Sequence, residues 1–156
     1  MQSIQLQSFT ENNIAELAKT VACLSSKSEV IYLIGDLGVG KTTFAKYFIN
    51  ALGYKGNVKS PTFSIVELYE LESNNFVAHF DFYRISSSDD ICYLGIDDYD
   101  QDNYILLIEW PKHGYGAIPK ATVNVTIEFN NNCRDVMLSS QNENLIQNLR
   151  KKFSSD

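Results

Sequence analysis

The sequence predicts an α/β fold with a central, mainly parallel sheet, added antiparallel strands and flanking helices. Two compact apolar runs, residues 29–34 and 104–109, are typical of strands that are buried on both faces of a parallel sheet. Helical patterns separate these runs along the chain. The strictly alternating residues 121–129, followed by a turn of three asparagines, predict a hairpin, which adds antiparallel strands to the sheet.

Local patterns predict the remaining elements in order. Residues 3–9 alternate between polar and apolar side chains and predict a short strand, after which Thr10 is the expected N-cap of a helix. A second helix follows residue 42 and is ended by Gly53. The other predicted elements are strands at 63–71 and 76–83 joined by a turn at 73–75, a short helix after residues 86–90, a last strand near 133–138 and a C-terminal helix at about 141–153.

Composition limits the classes of protein that this chain can belong to. Its 156 residues fit one domain, expected to span 1–156, and 44% hydrophobic residues indicate a folded protein, neither disordered nor fibrous. The formal net charge of −6 argues against an extended surface for nucleic acid. Three separated cysteines without a C-x-x-C pair, no signal-peptide pattern and no membrane-length apolar run predict a cytoplasmic location without membrane contact.

A phosphate-binding loop is the strongest motif in the chain. Residues 35–42 match G-x-x-x-x-G-K-[ST] and lie between a predicted strand and a predicted helix. Glycines let several backbone N–H groups converge on a phosphate, and the positive end of the following helix points at the same place. In such a loop Lys41 reaches the β- and γ-phosphates and Thr42 offers its hydroxyl to Mg²⁺. The motif predicts a P-loop NTPase domain.

Absent motifs narrow the choice of nucleotide and reaction. The sequence has no Asn-Lys-x-Asp segment for guanine and no Leu-Ser-Gly-Gly-Gln segment of transporter ATPases. It has only three arginines, Arg84, Arg134 and Arg150, and no Arg-rich lid of the kind that small-molecule kinases use. We therefore expect ATP as the nucleotide, with slow hydrolysis by the chain alone because no arginine finger is evident.

Two acidic residues near strand ends are candidates for Mg²⁺ and the attacking water. Asp81 lies between aromatic residues and either serves the metal or water, or forms an ion pair with Arg84. Glu109 closes an apolar run, the pattern of a Walker B strand, at the end of the sheet where α/β folds place ligands. Its alternative is an incidental surface position.

Other candidates lie near these positions. Thr62 follows Pro61 in a switch-like loop and either offers a hydroxyl to Mg²⁺ or the γ-phosphate, or belongs to a plain turn. Trp110 either lines the nucleotide site or a partner surface, or packs internally. No partner can be identified from the sequence for His79 or His113, so neither receives a role.

Five segments, in this order and spacing, closely resemble those of the bacterial TsaE (YjeE) family of ATPases. The resemblance covers about residues 5 to 130. The segments are G-D-L-G-V-G-K-T-T-F, V-K-S-P-T-F, H-F-D-F-Y-R, L-G-I-D-D-Y and I-E-W-P. Departures from the family pattern are small, at Phe82 and at Ile96-Asp97, and remove no functional group.

The resemblance implies a function and a set of partners. TsaE proteins belong to the pathway that places a threonylcarbamoyl group on the adenosine beside the tRNA anticodon. The resemblance implies that this chain associates with TsaD and TsaB, that its Mg²⁺-dependent ATP hydrolysis supports repeated turnover of the complex, and that tRNA is met through those partners. The alternatives are a small-molecule kinase and a nucleotide-gated binding module without useful turnover.

The resemblance also implies roles for individual residues. Asp81, Glu109 and Thr62 fall on catalytic positions, and Thr42, Glu109 and Asp81 on positions that serve Mg²⁺. The implied nucleotide-binding residues are Gly35, Asp36, Leu37, Gly38, Val39, Gly40, Lys41, Thr42, Thr43 and Trp110.

Overall fold

A seven-stranded mixed sheet carries the helices of the protein. The structure is a computed structural model that describes residues 1–99 and 102–154. Its strands are β1 (Gln2–Phe9), β2 (Val30–Ile34), β3 (Val66–Glu70), β4 (Phe76–Asp81), β5 (Tyr104–Glu109), β6 (Val123–Asn130) and β7 (Cys133–Ser140). Its α-helices are α1 (Glu11–Leu24), α2 (Lys41–Ala51), α3 (Ser88–Tyr93) and α4 (Glu143–Phe153).

The centre of the sheet is parallel and its two sides are antiparallel. The strand order is β1-β7-β6-β2-β5-β4-β3. Strand β2 pairs in parallel with both β5 and β6, and β4 pairs in parallel with β5. The pairs β3–β4, β6–β7 and β1–β7 are antiparallel. The predicted α/β fold with a parallel centre and added antiparallel strands is confirmed.

Strand β2 is buried on both faces, as its apolar run predicts. Ile31 and Leu33 belong to a large core formed with α1, α2 and α4, whereas Val30 and Tyr32 belong to a smaller core on the other face. In the large core, Phe44 and Phe48 of α2 are fully buried. Burial of each such side chain stabilises the fold by about 1.5–3 kcal/mol, so α2 is held firmly against the sheet.

Two helices begin where capping chemistry predicts. Thr10 and Asn13 form a capping box at the start of α1, with each side chain bonded to the backbone N–H of the other. The Asn142 side chain accepts a hydrogen bond of 3.1 Å from the backbone N–H of Leu145 and begins α4. These caps satisfy N–H groups that helix geometry leaves unpaired.

Three details differ from the sequence prediction, the first being that β4 ends at Asp81 and not at residue 83. Strand β3 begins at Val66 and not at residue 63, because the Ile65 N–H turns back to the Pro61 carbonyl oxygen at 2.7 Å. Phe129 does not join the buried face of β6, since its ring is 53% exposed and lies under the Arg134 guanidinium at 4.5 Å. By alternation Phe129 lies on the same face of β6 as the buried Ile127, but at Phe129 the strand extends past the core.

No helix in the described ranges, 1–99 and 102–154, is long and apolar enough to cross a membrane.

A glycine at the end of β2 fixes how closely the following loop approaches β6. Gly35 has φ +152°, and an added Cβ would collide with the Ile127 carbonyl oxygen and lie 2.8 Å from Val39 Cγ1. We expect Gly35→Ala to lower the free energy of unfolding in urea. Gly116→Ala is the control, because Gly116 also has a positive φ, +90°, but has open space at its Cβ.

The clash should make Gly35→Ala less stable than Gly116→Ala by about 1–3 kcal/mol, the usual effect of overpacking. Equal losses in the two variants would contradict the close approach of the loop to β6.

Candidate functional site

The carboxyl ends of β2, β5 and β4 meet at one edge of the sheet, where α/β folds place ligands. The phosphate-binding loop follows β2, and α2 begins directly at Lys41. Gly40 is the N-cap of α2, with φ 119°, and no side chain caps the helix. The helix N-terminus therefore presents its N–H groups to the cleft and favours an anion there.

The Lys41 side chain is buried and bonded to the backbone of its own loop. Its residue is only 4% exposed, and Nζ donates hydrogen bonds of 2.7 Å to the carbonyl oxygens of Gly35 and Asp36. Burial lowers the pKa of Lys41, while the nearby Glu109, Asp81 and Asp36 oppose that shift. A phosphate group offers this ammonium a stronger, charged acceptor than two neutral carbonyls do.

The two candidate acids lie side by side. In the parallel pair β4–β5, Asp81 is in register with Glu109, and both residues are buried. Asp81 accepts hydrogen bonds from the Tyr83 N–H at 2.9 Å and from the Thr62 hydroxyl at 3.2 Å. Burial raises the pKa of Asp81, with the charge of Glu109 raising it further and the Tyr83 N–H lowering it.

Glu109 is linked to the loop. Its Oε1 accepts a hydrogen bond of 3.0 Å from the Thr42 hydroxyl and lies 2.9 Å from Nε2 of His79. A hydroxyl and one or two carboxylates suit Mg²⁺, which prefers oxygen and is usually held by few protein groups together with substrate phosphates. The described residues contain no group of three or more His, Cys, Asp or Glu side chains that could hold a metal ion.

Two residues beside the cleft have backbone conformations that are uncommon for their types. Ile65, at the end of the segment that carries Thr62, has φ 69°, and Trp110 has φ 56° and ψ 49°. The left-handed region costs a non-glycine residue about 1–3 kcal/mol. At position 110 this conformation aims the indole at the loop, with Lys41 Nζ 4.8 Å from its ring.

The structure brings most of the predicted residues into one cleft. Gly35 and Asp36 instead line an adjoining cavity on the Trp110 side, and Val39 lines another beside Arg134. Arg84 stacks on the Phe63 ring at 4.2 Å, and within residues 1–99 and 102–154 it makes no ion pair with Asp81. The predicted residues that line the cleft are Leu37, Gly38, Gly40, Lys41, Thr42, Thr43, Thr62, Asp81, Glu109 and Trp110.

Three residues of the site were missed by sequence reasoning. Tyr83 lines the cleft, and His79 contacts Glu109. Arg134 donates from Nε to the Val39 carbonyl oxygen at 2.8 Å, bracing the loop from β7. A signal existed only for His79, which lies two residues before Asp81 and so on the same face of β4.

Known proteins of one family resemble this chain over most of its length. The family model described as "Threonylcarbamoyl adenosine biosynthesis protein TsaE" matches residues 8–136. The chain is 38% identical over 131 residues to the tRNA threonylcarbamoyladenosine biosynthesis protein TsaE of Haemophilus influenzae, covering 84% of this chain and 82% of that protein. It is 30% identical over 128 residues to the Bacillus subtilis protein of the same description, covering 82% and 79%.

A solved structure is similar over nearly the whole chain. The crystal structure of Bacillus subtilis YdiB superposes with a TM-score of 0.79 at 25% sequence identity, covering 97% of this chain and 96% of that one. The likeness therefore includes the flanking antiparallel strands as well as the parallel centre, and it supports the assignment of a P-loop NTPase fold.

The raised pKa of Asp81 predicts a pH-dependent stability difference. The folded chain binds a proton at Asp81 more tightly than the unfolded chain does, so ionisation of this carboxyl disfavours folding as pH rises above its ordinary value of 3.8. In Mg²⁺-free buffer, Asp81→Asn should be more stable than the native chain at neutral pH, because the amide oxygen can accept from the Tyr83 N–H while its NH2 group donates to the Thr62 hydroxyl oxygen. The gain should disappear in acid.

The control is Asp135→Asn, because the hydrogen bonds from Asn130 and Ser8 lower the pKa of Asp135. That variant should lose stability at neutral pH and recover relative to the native chain in acid. Urea unfolding at several pH values measures both differences. A neutral-pH loss in Asp81→Asn would contradict the burial of an unfavourable charge.

Proposed function

Because the chain belongs to the TsaE family, which acts in tRNA threonylcarbamoyladenosine biosynthesis, we propose that it is the Mg²⁺-dependent ATPase of that pathway and acts with TsaD and TsaB. One observation carries the enzymatic part of this proposal. The cleft holds the Lys41 and Thr42 end of a phosphate-binding loop opposite two buried carboxylates in register, Asp81 and Glu109.

The loop binds the phosphates. Lys41 exchanges its two carbonyl partners for phosphate oxygens, and the uncapped N-terminus of α2 adds its backbone N–H groups. The cleft shields these charges from water, which strengthens each interaction. We assign ATP as the nucleotide because the sequence lacks the Asn-Lys-x-Asp segment that reads guanine.

We assign metal binding and water positioning to the two hydroxyl–carboxylate pairs, with Asp81 taking part in both tasks. Thr42 and Glu109, already joined by a hydrogen bond, would hold Mg²⁺ together with Asp81, and the ion supplies positive charge to the β- and γ-phosphate oxygens. Asp81 and Thr62, the second joined pair, orient the attacking water. The water oxygen bonds to the γ-phosphorus as the bond from that phosphorus to the bridging oxygen breaks. The products are ADP, inorganic phosphate and the proton that the water gives up.

Dependence on a partner follows from what lines the cleft. Among its described lining residues, Lys41 is the one cationic side chain, and no arginine is present. In other P-loop NTPases an arginine finger raises kcat by about 10³- to 10⁵-fold. The chain alone should therefore turn over slowly, and TsaD and TsaB would complete or reshape the site.

The setting of the reaction is part of the same proposal. With a net charge of −6, the chain meets tRNA through its partners rather than directly, and it works in the cytoplasm with the tRNA. We treat residues 1–156 as one domain, since one sheet includes both the first strand and the strand that precedes α4.

Hydrolysis of Mg²⁺-ATP by the purified chain, alone and with purified TsaD and TsaB of the same organism, tests the function. We expect slow hydrolysis by the chain alone and faster hydrolysis with the pair. Lys41→Ala should lose both, because it lacks the ammonium group that binds the phosphates. Lys112→Ala is the matched control. Lys112 Nζ also lies near the Trp110 ring, 5.3 Å from its centroid, but Lys112 lines the adjoining cavity and not the cleft.

Binding of ATP without stimulation by a competent pair would contradict the proposal. Transfer of phosphate to an acceptor other than water would then favour the kinase alternative. Full cellular function of Glu109→Ala and Asp81→Ala would favour a nucleotide-gated binding module.

A further inference from the structure

His79 occupies a position where a polar side chain is unexpected. It lies on β4 in the interior of the sheet and is 0% exposed. Its Nε2 lies 2.9 Å from Glu109 Oε1, whereas its Nδ1 is buried without a hydrogen-bond partner among the described residues. Because an ionised carboxylate only accepts hydrogen bonds, Nε2–H is the donor to Glu109.

This arrangement is unfavourable for folding on its own. A buried polar atom without a partner costs about 1–3 kcal/mol, a cost that an apolar side chain of similar size avoids. Stability alone therefore does not explain an imidazole at this position. Among the described residues, its one side-chain hydrogen bond goes to Glu109, so the reason for His79 lies in what it does to that carboxylate.

The register explains why His79 can hold Glu109. His79 is two residues before Asp81 and shares its face of β4, and Asp81 is in register with Glu109 on β5. The imidazole thus reaches Glu109 diagonally from a rigid strand. Thr42, the other donor to Oε1, belongs to the phosphate-binding loop and is a residue that we assign to Mg²⁺.

We propose that His79 is a positioning residue that fixes the Glu109 carboxylate for Mg²⁺ and nucleotide. By binding Oε1 from the strand side, it would keep the carboxylate oriented even with the Thr42 hydroxyl engaged by Mg²⁺. The other oxygen, Oε2, makes no hydrogen bond within the described part of the chain and stays available to the cleft. This inference rests on the proposed function of the site, but it can be tested without hydrolysis.

Two variants separate positioning from packing. His79→Leu fills the space without a donor, and His79→Gln keeps an amide N–H at the same number of bonds from the backbone as Nε2. ATP affinity is measured with Mg²⁺ and again with EDTA, by the fluorescence of Trp110, the only tryptophan of the chain, which lies 4.8 Å from Lys41 Nζ. Thermal unfolding of the nucleotide-free variants reports on folding.

His79→Leu should lose about 10- to 100-fold in Mg²⁺-supported ATP affinity or hydrolysis, the usual effect of removing a partner of a metal ligand. Its ATP affinity in EDTA should match the native chain, because the loop and Lys41 still bind the phosphates. His79→Gln should restore most of the loss. In a Glu109→Gln background, His79→Leu should have little further effect, because the carboxylate that it positions is gone.

Native Mg²⁺-supported affinity in His79→Leu overturns the inference. An equal loss of ATP affinity with Mg²⁺ and with EDTA also overturns it, because the effect would then not involve the metal. Failure of both His79→Leu and His79→Gln to fold overturns it too, because His79 would then serve packing. The inference is also overturned if the native chain binds ATP equally tightly with Mg²⁺ and with EDTA. Absence of hydrolysis by the native chain with its partners counts against the ATPase proposal alone, while the Mg²⁺ comparison still decides the role of His79.

Discussion

The parallel pairing of β4 with β5 brings two carboxylates to the same level at one edge of the sheet, and the site is arranged around them. Asp81 and Glu109 are both buried, and burial raises the pKa of Asp81, with the charge of Glu109 acting in the same direction. Such a pair is unfavourable unless hydrogen bonds and cations compensate. Four groups supply hydrogen bonds: the Tyr83 N–H, the two threonine hydroxyls and the imidazole of His79.

The same constraint explains the state of the loop and its surroundings. Lys41 is buried and bonded to the carbonyls of its own loop, so its charge is kept near the carboxylates without a direct ion pair to either. Ile65 and Trp110 hold left-handed backbone conformations on either side. The buried charge and the left-handed residues lower the stability of the fold around the cleft, and a bound ligand would offset that loss. Such a trade between stability and function is common at binding sites.

How much the sequence predicts depends on how local each feature is. The phosphate-binding loop is contiguous, and Asp81 and Glu109 were predicted because each lies near the end of a strand-like run. The contact of His79 with Glu109 depends on β4 lying beside β5 in one register, which no local pattern specifies. The brace from Arg134 to the loop likewise spans 95 residues of sequence. The turn at Ile65 was missed because a β-branched residue ordinarily predicts a strand.

A crystal structure of the chain with Mg²⁺ and a non-hydrolysable ATP analogue tests the account most directly. Mg²⁺ should lie at about 2.1 Å from the Thr42 hydroxyl, the distance typical of this ion. Glu109 should take part in holding the metal, and Lys41 Nζ should have left the carbonyl oxygens of Gly35 and Asp36 for the phosphates. A metal held away from both Thr42 and Glu109, or a lysine still bonded to the loop carbonyls beside bound nucleotide, would contradict it.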